Sequence, residues 1–455
     1  MFTDIINSST LGTSWTVGPF RSLSRQSDSL VEKWVQLGEI CEIVSGQYVN
    51  EYVPPDSKDA AVYFRVDSVR EFVPNVSERD CEYVSLKNKI QERSRLKDGD
   101  IVIARTGTLG KAFIATRSLV GSVLSQHLTR LTLKENCRNI LTPEFICLAL
   151  NSSIGKDQLL GVGSGSTRLE ITHERLATVR VPILGREQIE RLTASIRESV
   201  RNEEKALNLL SEAKMELEAL LPECAPKARK KWISIASTEL DSLWTASMYA
   251  ENYIDLERRF SEIFDIKPLN SIAAVFRGKG TRASDYQRTG IPFVRTTSLM
   301  NNGLDYFPDH YADVETYRSY RQETQDGDIL VSIEGKIGCV AILQADWPVV
   351  FKNHVECIRL YDSAGVDPYF LYLLFLTKQY QGLFKRRTVV QATIPGMASR
   401  LRSIPIIVGR KSGEKSFSHD AERLSKKAKI AARLRLTAYH ELHQAKELLE
   451  AKLGV

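Results

Sequence analysis

The phrase DGDIVIARTGTLG, beginning at Asp98, returns as DGDILVSIEGKIG at Asp326, 228 residues later in a chain of 455. A spacing of half the length makes the chain one structural unit written twice rather than a single continuous core. Other segments keep nearly the same offset. LGEICEIVSG from Leu37 answers LNSIAAVFRG from Leu269, and YFRVDSV from Tyr63 answers FVRTTSL from Phe293. TPEFICLAL from Thr142 answers DPYFLYLLF from Asp367, VPI at Val181 answers IPI at Ile404, and Trp15-Thr16 answers Trp244-Thr245. The offset drifts only between 232 and 223, as small loop insertions and deletions would produce.

Within each unit, short apolar runs bounded by Gly and Asp turn signals (DIVIA, KAFIA, LTRLTL; DILVSI, CVAIL, ECIRLY) predict strands. TPEFICLALNS and DPYFLYLLFLTKQ predict helices, each with Thr or Asp as N-cap and Pro at the first helical position. Each unit then ends in a long stretch of helical periodicity without Pro or Gly. From Arg186 to Leu221, the a positions Ile189, Ile196, Glu203, Leu210 and Leu217 and the d positions Leu192, Ser199, Ala206, Ala213 and Leu220 make a mostly apolar seam. From Ala421 to Lys452, the a positions Ala421, Ala428, Arg435, Leu442 and Leu449 and the d positions Leu424, Ala431, Ala438, Ala445 and Lys452 make another. A single helix with one apolar stripe is marginal in water, so each needs a partner, and the other repeat supplies one of matching length. Separate packing of the two helices on their own domains is the alternative.

The expected fold class is therefore α+β. Two tandem mixed α/β domains, residues 1–185 and 222–410, are separated by two long helices, residues 186–221 and 411–455, in an antiparallel coiled coil with pseudo-twofold symmetry. Some 35 residues at about 1.5 Å each span roughly 50 Å, which is on the scale of one to one and a half turns of B-DNA.

Composition excludes more than it selects. MFTDIINSSTLG has no signal-peptide pattern, and no apolar run reaches the roughly 18 residues of a membrane span, so a soluble, cytoplasmic protein without a membrane partner is expected. Seven cysteines without a CxxC pair indicate neither a disulfide framework nor a zinc site. His440 and His443, three residues apart among charged neighbours, are expected to hold no metal. A net charge of +6 permits a polyanionic partner without demanding one.

The paired units resemble the specificity subunit of type I restriction-modification systems. The resemblance is carried by the W-T openings, the strands ending in Gly, VPILGREQIERL as an entry into a spacer helix, and GSGSTRLEIT from Gly163. It covers nearly the whole chain. IPIIVGRKSGEKSF in the second half departs from it, lacking the Glu-Gln pair. The resemblance implies two target-recognition domains, each reading half of a split sequence in double-stranded DNA. It also implies a helical spacer that sets the gap and docks two methyltransferase subunits, with restriction subunits in complexes that carry them.

The residues agree with a reader that has no reaction and no cofactor of its own. There is no Gly-x-Gly loop after a strand, no Walker loop and no Asn-Pro-Pro-aromatic site, the only Pro-Pro being Pro54-Pro55. Three loop sets carry groups suited to phosphates and base edges. The first is Arg105, Thr106, Thr108 and Lys111, against Glu334 and Lys336. The second is Ser125, Gln126 and His127, against Lys352, Asn353 and His354. The third is Ser164, Ser166, Thr167 and Arg168, against Lys385, Arg386, Arg387, Thr388 and Gln391. Fold-forming turns and solvated charge runs are the plainer readings of each. Two basic clusters lie elsewhere, Lys227, Arg229, Lys230 and Lys231, and Arg423, Lys426, Lys427, Lys429, Arg433 and Arg435. Two other classes remain in view. Asp328, Glu334 and Lys336 mimic a metal-dependent nuclease pattern, although the first unit has Thr106 and Thr108 in place of the last two. A coiled-coil scaffold that binds proteins is the other.

Overall fold

The computed structural model describes residues 31, 33–76, 81–87, 89–107, 109–165, 169–223, 251–280, 282–345, 347–391, 394–411 and 415–454. Trp15-Thr16 and Trp244-Thr245 lie outside them. The chain divides into two compact units, Met1–Glu203 with Leu436–Val455, and Glu204–Arg435.

The first unit is a mixed α/β body. Its elements in order are β1 (Lys33–Gln36), α1 (Leu37–Ile40), β2 (Cys41–Ser45), β3 (Ala60–Phe64), β4 (Glu82–Ser85), β5 (Ile101–Ala104), β6 (Ala112–Ile114), β7 (Val123–Leu124), β8 (Leu128–Leu133), α2 (Pro143–Asn151), α3 (Ser153–Gly161), α4 (His173–Ala177) and β9 (Arg180–Ile183), followed by the long helix α5 (Arg186–Leu220). An antiparallel sheet has the order β2-β8-β5-β6, a second sheet the order β4-β3-β7 with β3 parallel to β7, and β9 returns to pair with β1.

The second unit repeats this plan. It comprises α6 (Glu251–Ile263), β10 (Phe264–Pro268), α7 (Leu269–Ile272), β11 (Ala273–Arg277), β12 (Ile291–Val294), the β13–β14 hairpin (Leu299–Met300, Gly303–Leu304), β15 (Tyr311–Ala312), α8 (Val314–Tyr320), β16 (Ile329–Ser332), β17 (Val340–Ile342), β18 (Val350–Phe351), β19 (Val355–Leu360), α9 (Pro368–Leu376), α10 (Lys378–Arg386), β20 (Val389–Gln391), β21 (Ile394–Gly396), β22 (Pro405–Arg410) and the long helix α11 (Lys415–Leu453). Its sheets run β11-β19-β16-β17, β15-β12-β18 with β12 parallel to β18, and β10-β22, strand for strand the order of the first unit.

The expected strands and helices all form. β5 and β16 sit inside their sheets and are buried at every residue, which is why DIVIA and DILVSI read as apolar runs rather than alternations. The Thr142 hydroxyl accepts from the Phe145 N–H, and the Asp367 carboxylate accepts from the N–H groups of Tyr369 and Phe370, capping α2 and α9. Residues 369–376 of α9 are buried on all sides, as a helix apolar all round must be.

The repeated Asp-Gly-Asp phrase serves the same purpose in both units. Gly99 and Gly327 adopt φ of +82° and +83°, a left-handed turn that glycine takes at little cost. The aspartate that follows is buried and faces an arginine on the neighbouring strand. Arg130 Nη1 donates to Asp100 Oδ2 at 3.0 Å, and Arg359 grips Asp328 with two bonds of 2.8 and 2.7 Å. The same carboxylates accept the backbone N–H of Lys97 and Gln325, each at 2.8 Å, so each turn is tied to its sheet twice. Gly46 and Gly278 answer a different need, because a Cβ there would lie within 2.4 Å of the carbonyl oxygens of residues 124–125 and 351–352.

Both long helices contribute to each unit, α5 through residues 186–203 and 204–220, α11 through residues 436–453 and 415–435. Each body holds its own helix at the cap of its first core helix. Thr193 bonds Thr142 at 2.7 Å in the first unit, and Ser425 bonds Asp367 in the second. Each body also holds the other repeat's helix: Glu450 accepts the Ser153 N–H and Glu218 accepts the Lys378 N–H, both at 2.6 Å. These carboxylates take the first amides of α3 and α10, complementing the Ser152 and Thr377 hydroxyls that cap the third, where the helix dipole favours an anion.

The expected seams are buried apart from Glu203 and Ala421, which are half-buried, and apart from their last positions. Leu220 is 38% exposed and Lys452 only half-buried, and burial passes instead to Leu221 and Leu453. A straight helix of 3.6 residues per turn drifts about 20° per heptad from a 3.5-residue register, so the stripe slips as it lengthens. The polar seam residue Arg435 is buried, donating to the Asn302 carbonyl at 2.8 Å and lying over the Tyr306 ring.

Removing Asp100 leaves the Arg130 charge buried without its carboxylate, and Asp100→Ala is expected to cost about 3–5 kcal/mol in chemical denaturation. Asp328→Ala should cost less, because the Arg359 side chain is 30% exposed and can rehydrate. Equal losses would show that the two pairs are not graded by burial.

Candidate nucleic-acid interface

The strands β5 and β16 deliver a glycine loop at the same end of each body. Gly107 and Gly110 in the first unit, and Gly335 and Gly338 in the second, all have φ between +72° and +84°. In the second unit the Ser332 hydroxyl closes the loop, donating to the Lys336 carbonyl at 2.5 Å and accepting from the Cys339 N–H at 2.9 Å.

Backbone hydrogen bonds bring the three predicted loop sets together, and do so identically in both units. Arg105 N–H donates to the His127 carbonyl at 2.8 Å and Ile333 N–H to the His354 carbonyl at 3.0 Å, joining the first set to the second. Ile171 N–H donates to the Arg105 carbonyl at 2.9 Å and Met397 N–H to the Ile333 carbonyl at 2.8 Å, joining the first set to the segment after α3 or α10. Thr106 bridges to Glu170 and Glu334 to Gly396 in the same antiparallel sense.

The side chains on this shared frame differ. In the first unit Arg105 donates to Glu170 and to Ser45, each at 2.7 Å, and Ser45 lies 2.7 Å from His173 Nε2. Burial, then the Arg105 guanidinium, lowers the His173 imidazole, which stands neutral near pH 7. Gln126 is exposed on the turn, with Nε2 3.4 Å from His127. Thr106 is 4% exposed and Lys111 6% exposed, so both are set back from the surface. Ser164 pairs backbone to backbone with Glu170. Thr108, Ser166, Thr167 and Arg168 lie outside the described residues.

In the second unit Lys336 is exposed at the loop tip, and Glu334 is held by His354 and, at 3.5 Å, by Arg277. Asn353 donates its N–H to the Lys279 carbonyl at 3.2 Å, while its buried Oδ1 has no hydrogen-bond partner among the described residues. Lys385 is exposed, whereas Arg386 and Arg387 both pair with Glu257 of α6, at 2.5 and 2.7 Å. Thr388 donates to the Phe384 carbonyl at 2.8 Å. Gln391 closes β20 opposite Ile394.

The basic stretch of α11 is largely engaged within the second unit. Arg423 and Lys427 pair with Glu216 of α5, Lys426 with Glu422, and Lys429 lies over the Tyr369 ring, leaving Arg433 exposed. Lys227, Arg229, Lys230 and Lys231 are outside the described residues. Asp328 and Glu334 stand at opposite ends of β16, about 20 Å apart along an extended strand, so the three nuclease-like residues do not converge on one metal. Among the described residues no cluster of metal ligands is found, and no helix is long and apolar enough to cross a membrane.

Sequence reading missed Ser45 and Arg277, which stand one residue before the repeated Gly46 and Gly278, and Glu356 and Arg402. The first pair had a signal, their fixed place beside a repeated glycine. Glu356 and Arg402 stand outside the three loop sets, on β19 and shortly before β22.

The sequence model of the type I restriction modification DNA specificity domain matches twice, over residues 32–205 and 261–412. No curated protein matches the chain. The solved type I restriction-modification system S subunit from M. genitalium aligns at 12% identity over 94% of this chain and 96% of its own, with a TM-score of 0.37. The HsdS subunit from Thermoanaerobacter tengcongensis aligns at 17% identity over 92% and 95%, with a TM-score of 0.28. At these TM-scores the superpositions add nothing to the match of the domain model.

Lys111 is buried near the buried carboxylate of Glu71. Burial would raise the Glu71 carboxyl, but Lys446, Lys156 and Lys111 outweigh it and hold Glu71 below the ordinary glutamate range. A depressed carboxyl stabilises the fold above its unfolded value of about 4.3, and that stability is lost as pH falls through the folded value. Wild-type stability is therefore expected to drop on acidification below about pH 4.3. Glu71→Gln should be less stable at neutral pH by up to about 3 kcal/mol and lose less on acidification. Identical pH slopes for the two proteins in thermal denaturation would rule this out.

Proposed function

Because the chain belongs to the type I restriction-modification DNA specificity family, we propose that each unit reads one half of a bipartite duplex through its three converging loops. The observation that carries this reading is a constant backbone with divergent tips. The same peptide hydrogen bonds join the loops in both units, while Thr106 stands against Glu334, Thr108 against Lys336 and Gln126 against Asn353. Two different half-sites require such an arrangement: one frame to set the register on the phosphates, and interchangeable side chains to meet base edges.

Gln126, exposed on its turn, is the candidate for bidentate contact with adenine, and Asn353 holds the matching place in the second unit. Arg105, Lys336 and Lys385 supply charge for phosphates, and Thr108, Ser164, Ser166, Thr167, Arg168 and Gln391 extend the reading face. Lys111, buried near Glu71, and Arg386 and Arg387, paired with Glu257, support the loops from behind.

The long helices pair antiparallel as a coiled coil that sets the gap between half-sites and docks two methyltransferase subunits. This reading is supported by the order of their contacts, since Ser199 meets Glu441 in the first unit and Glu216 meets Arg423 and Lys427 in the second. Residue numbers rise along one helix as they fall along the other. The chain itself carries no chemistry: methyl transfer and any cleavage belong to partner subunits. Residues 1–185 and 222–410 are the proposed recognition domains, and 186–221 and 411–455 the spacer.

Selection from a randomised duplex library by the full-length chain should return two short sequence patches separated by a constant gap. Log affinity should fall linearly with log salt, with a slope of about −0.9 per phosphate contacted. A single patch, or binding indifferent to salt, would contradict the reading. Deleting one heptad from each long helix should change the preferred gap and leave both patches as they were; altered patches would remove the spacer role.

A further inference from the structure

We propose that Glu334 is a specificity-determining residue that selects a cytosine in the half-site read by the second unit, a proposal that rests on the loop face being the DNA interface. Glu334 stands two residues past the end of β16, on the loop joined by backbone bonds to both other loop sets. Its side chain is 29% exposed and is not left to swing. His354 Nδ1 bonds Oε2, and Arg277 Nη2 stands 3.5 Å from Oε1, so two neighbours fix the plane of the carboxylate.

These contacts leave the carboxylate with unused acceptor capacity, since its two oxygens offer about four lone-pair sites. Arg277 does not cancel the charge alone, because it is shared with a second carboxylate. Glu356, 2% exposed, lies 4.0 Å from Arg277 Nε and 3.2 Å from Arg402 Nη1, and its Oε2 has no hydrogen-bond partner among the described residues. The exposed Lys336, two residues beyond Glu334, and the half-exposed Arg277 and Arg402 make the surroundings basic. An oriented anion in a basic rim opposes the approach of phosphates unless it meets a donor on the duplex.

The major groove offers few such donors. Cytosine presents only its N4 amine there, guanine presents two acceptors, thymine an acceptor and a methyl group, and adenine sets an acceptor beside its amine. A carboxylate that can only accept is repelled by guanine and thymine and matches cytosine best. The corresponding residue in the first unit is Thr106, 4% exposed and without charge, so the preference belongs to one half-site only.

The test compares full-length wild type, Glu334→Gln, His354→Gln and Gln126→Ala in selection from a random duplex library, with thermal denaturation to verify folding. Glu334→Gln should lose discrimination at one cytosine of the second half-site by roughly ten- to a hundredfold, with the first half-site unchanged. His354→Gln keeps the carboxylate but frees it, and should weaken the same position in part, which keeps the proposal open to refutation if Glu334→Gln does not fold. Unchanged preferences throughout the second half-site in either folded variant, or a change confined to a base other than cytosine, would overturn the proposal. If Gln126→Ala alters the first half-site while the Glu334 and His354 variants move nothing, the loop face stands and this assignment alone fails. If wild type selects no sequence, the loop-face reading fails and takes this one with it.

Discussion

The buried pairing of an aspartate with an arginine on the adjacent strand anchors everything that follows in each unit. Asp100 with Arg130, and Asp328 with Arg359, tie the turn before the central strand to the strand beside it. The turn sets where β5 and β16 begin, and the strand sets where the glycine loop emerges. A buried ion pair is weak evidence for net stability, because desolvation offsets much of its Coulomb energy. Its value lies in register. A strand that slipped by one residue would turn its core face outward and carry the loop with it, and a charge that must find one particular partner penalises the slip.

Above that anchor, backbone and side chains divide the work. Backbone hydrogen bonds hold the three loops together in the same pattern twice, with no demand on side-chain identity. The side chains at the tips are then able to vary without loss of the frame. The networks that hold them differ just as much between the units: Arg105, Glu170, Ser45 and His173 form one, and Arg277, Glu334, His354 and Glu356 another. The family's role in DNA sequence specificity is well served by a body whose fold tolerates change at the loops proposed to meet DNA.

The repeat, the strands, the capped helices and the apolar seams were legible because each leaves a local or periodic trace: a glycine that must be left-handed, a Pro after an N-cap, an apolar residue every three or four positions. The meeting of the three loop sets was foreshadowed only by their matching places in the two copies, since the hydrogen bonds that join them link residues far apart in sequence. What charge alone misjudged is also instructive. Lys111, Arg386 and Arg387 look like a basic surface in sequence, yet one is buried near Glu71 and the others pair with Glu257. Those glutamates sit 40 and about 130 residues away, beyond any pattern that reading along the chain can detect.

The contact between Ser153 and Glu450 joins residues 297 apart within one compact unit, and Glu71 meets Lys446 across 375. A ribosome must pass residue 450 before the first body receives its last helical segment. Until then that body has the Ser153 amide without its carboxylate and one side of Glu71 open to solvent, a period in which a chaperone, or premature pairing with another nascent chain, would meet it incomplete.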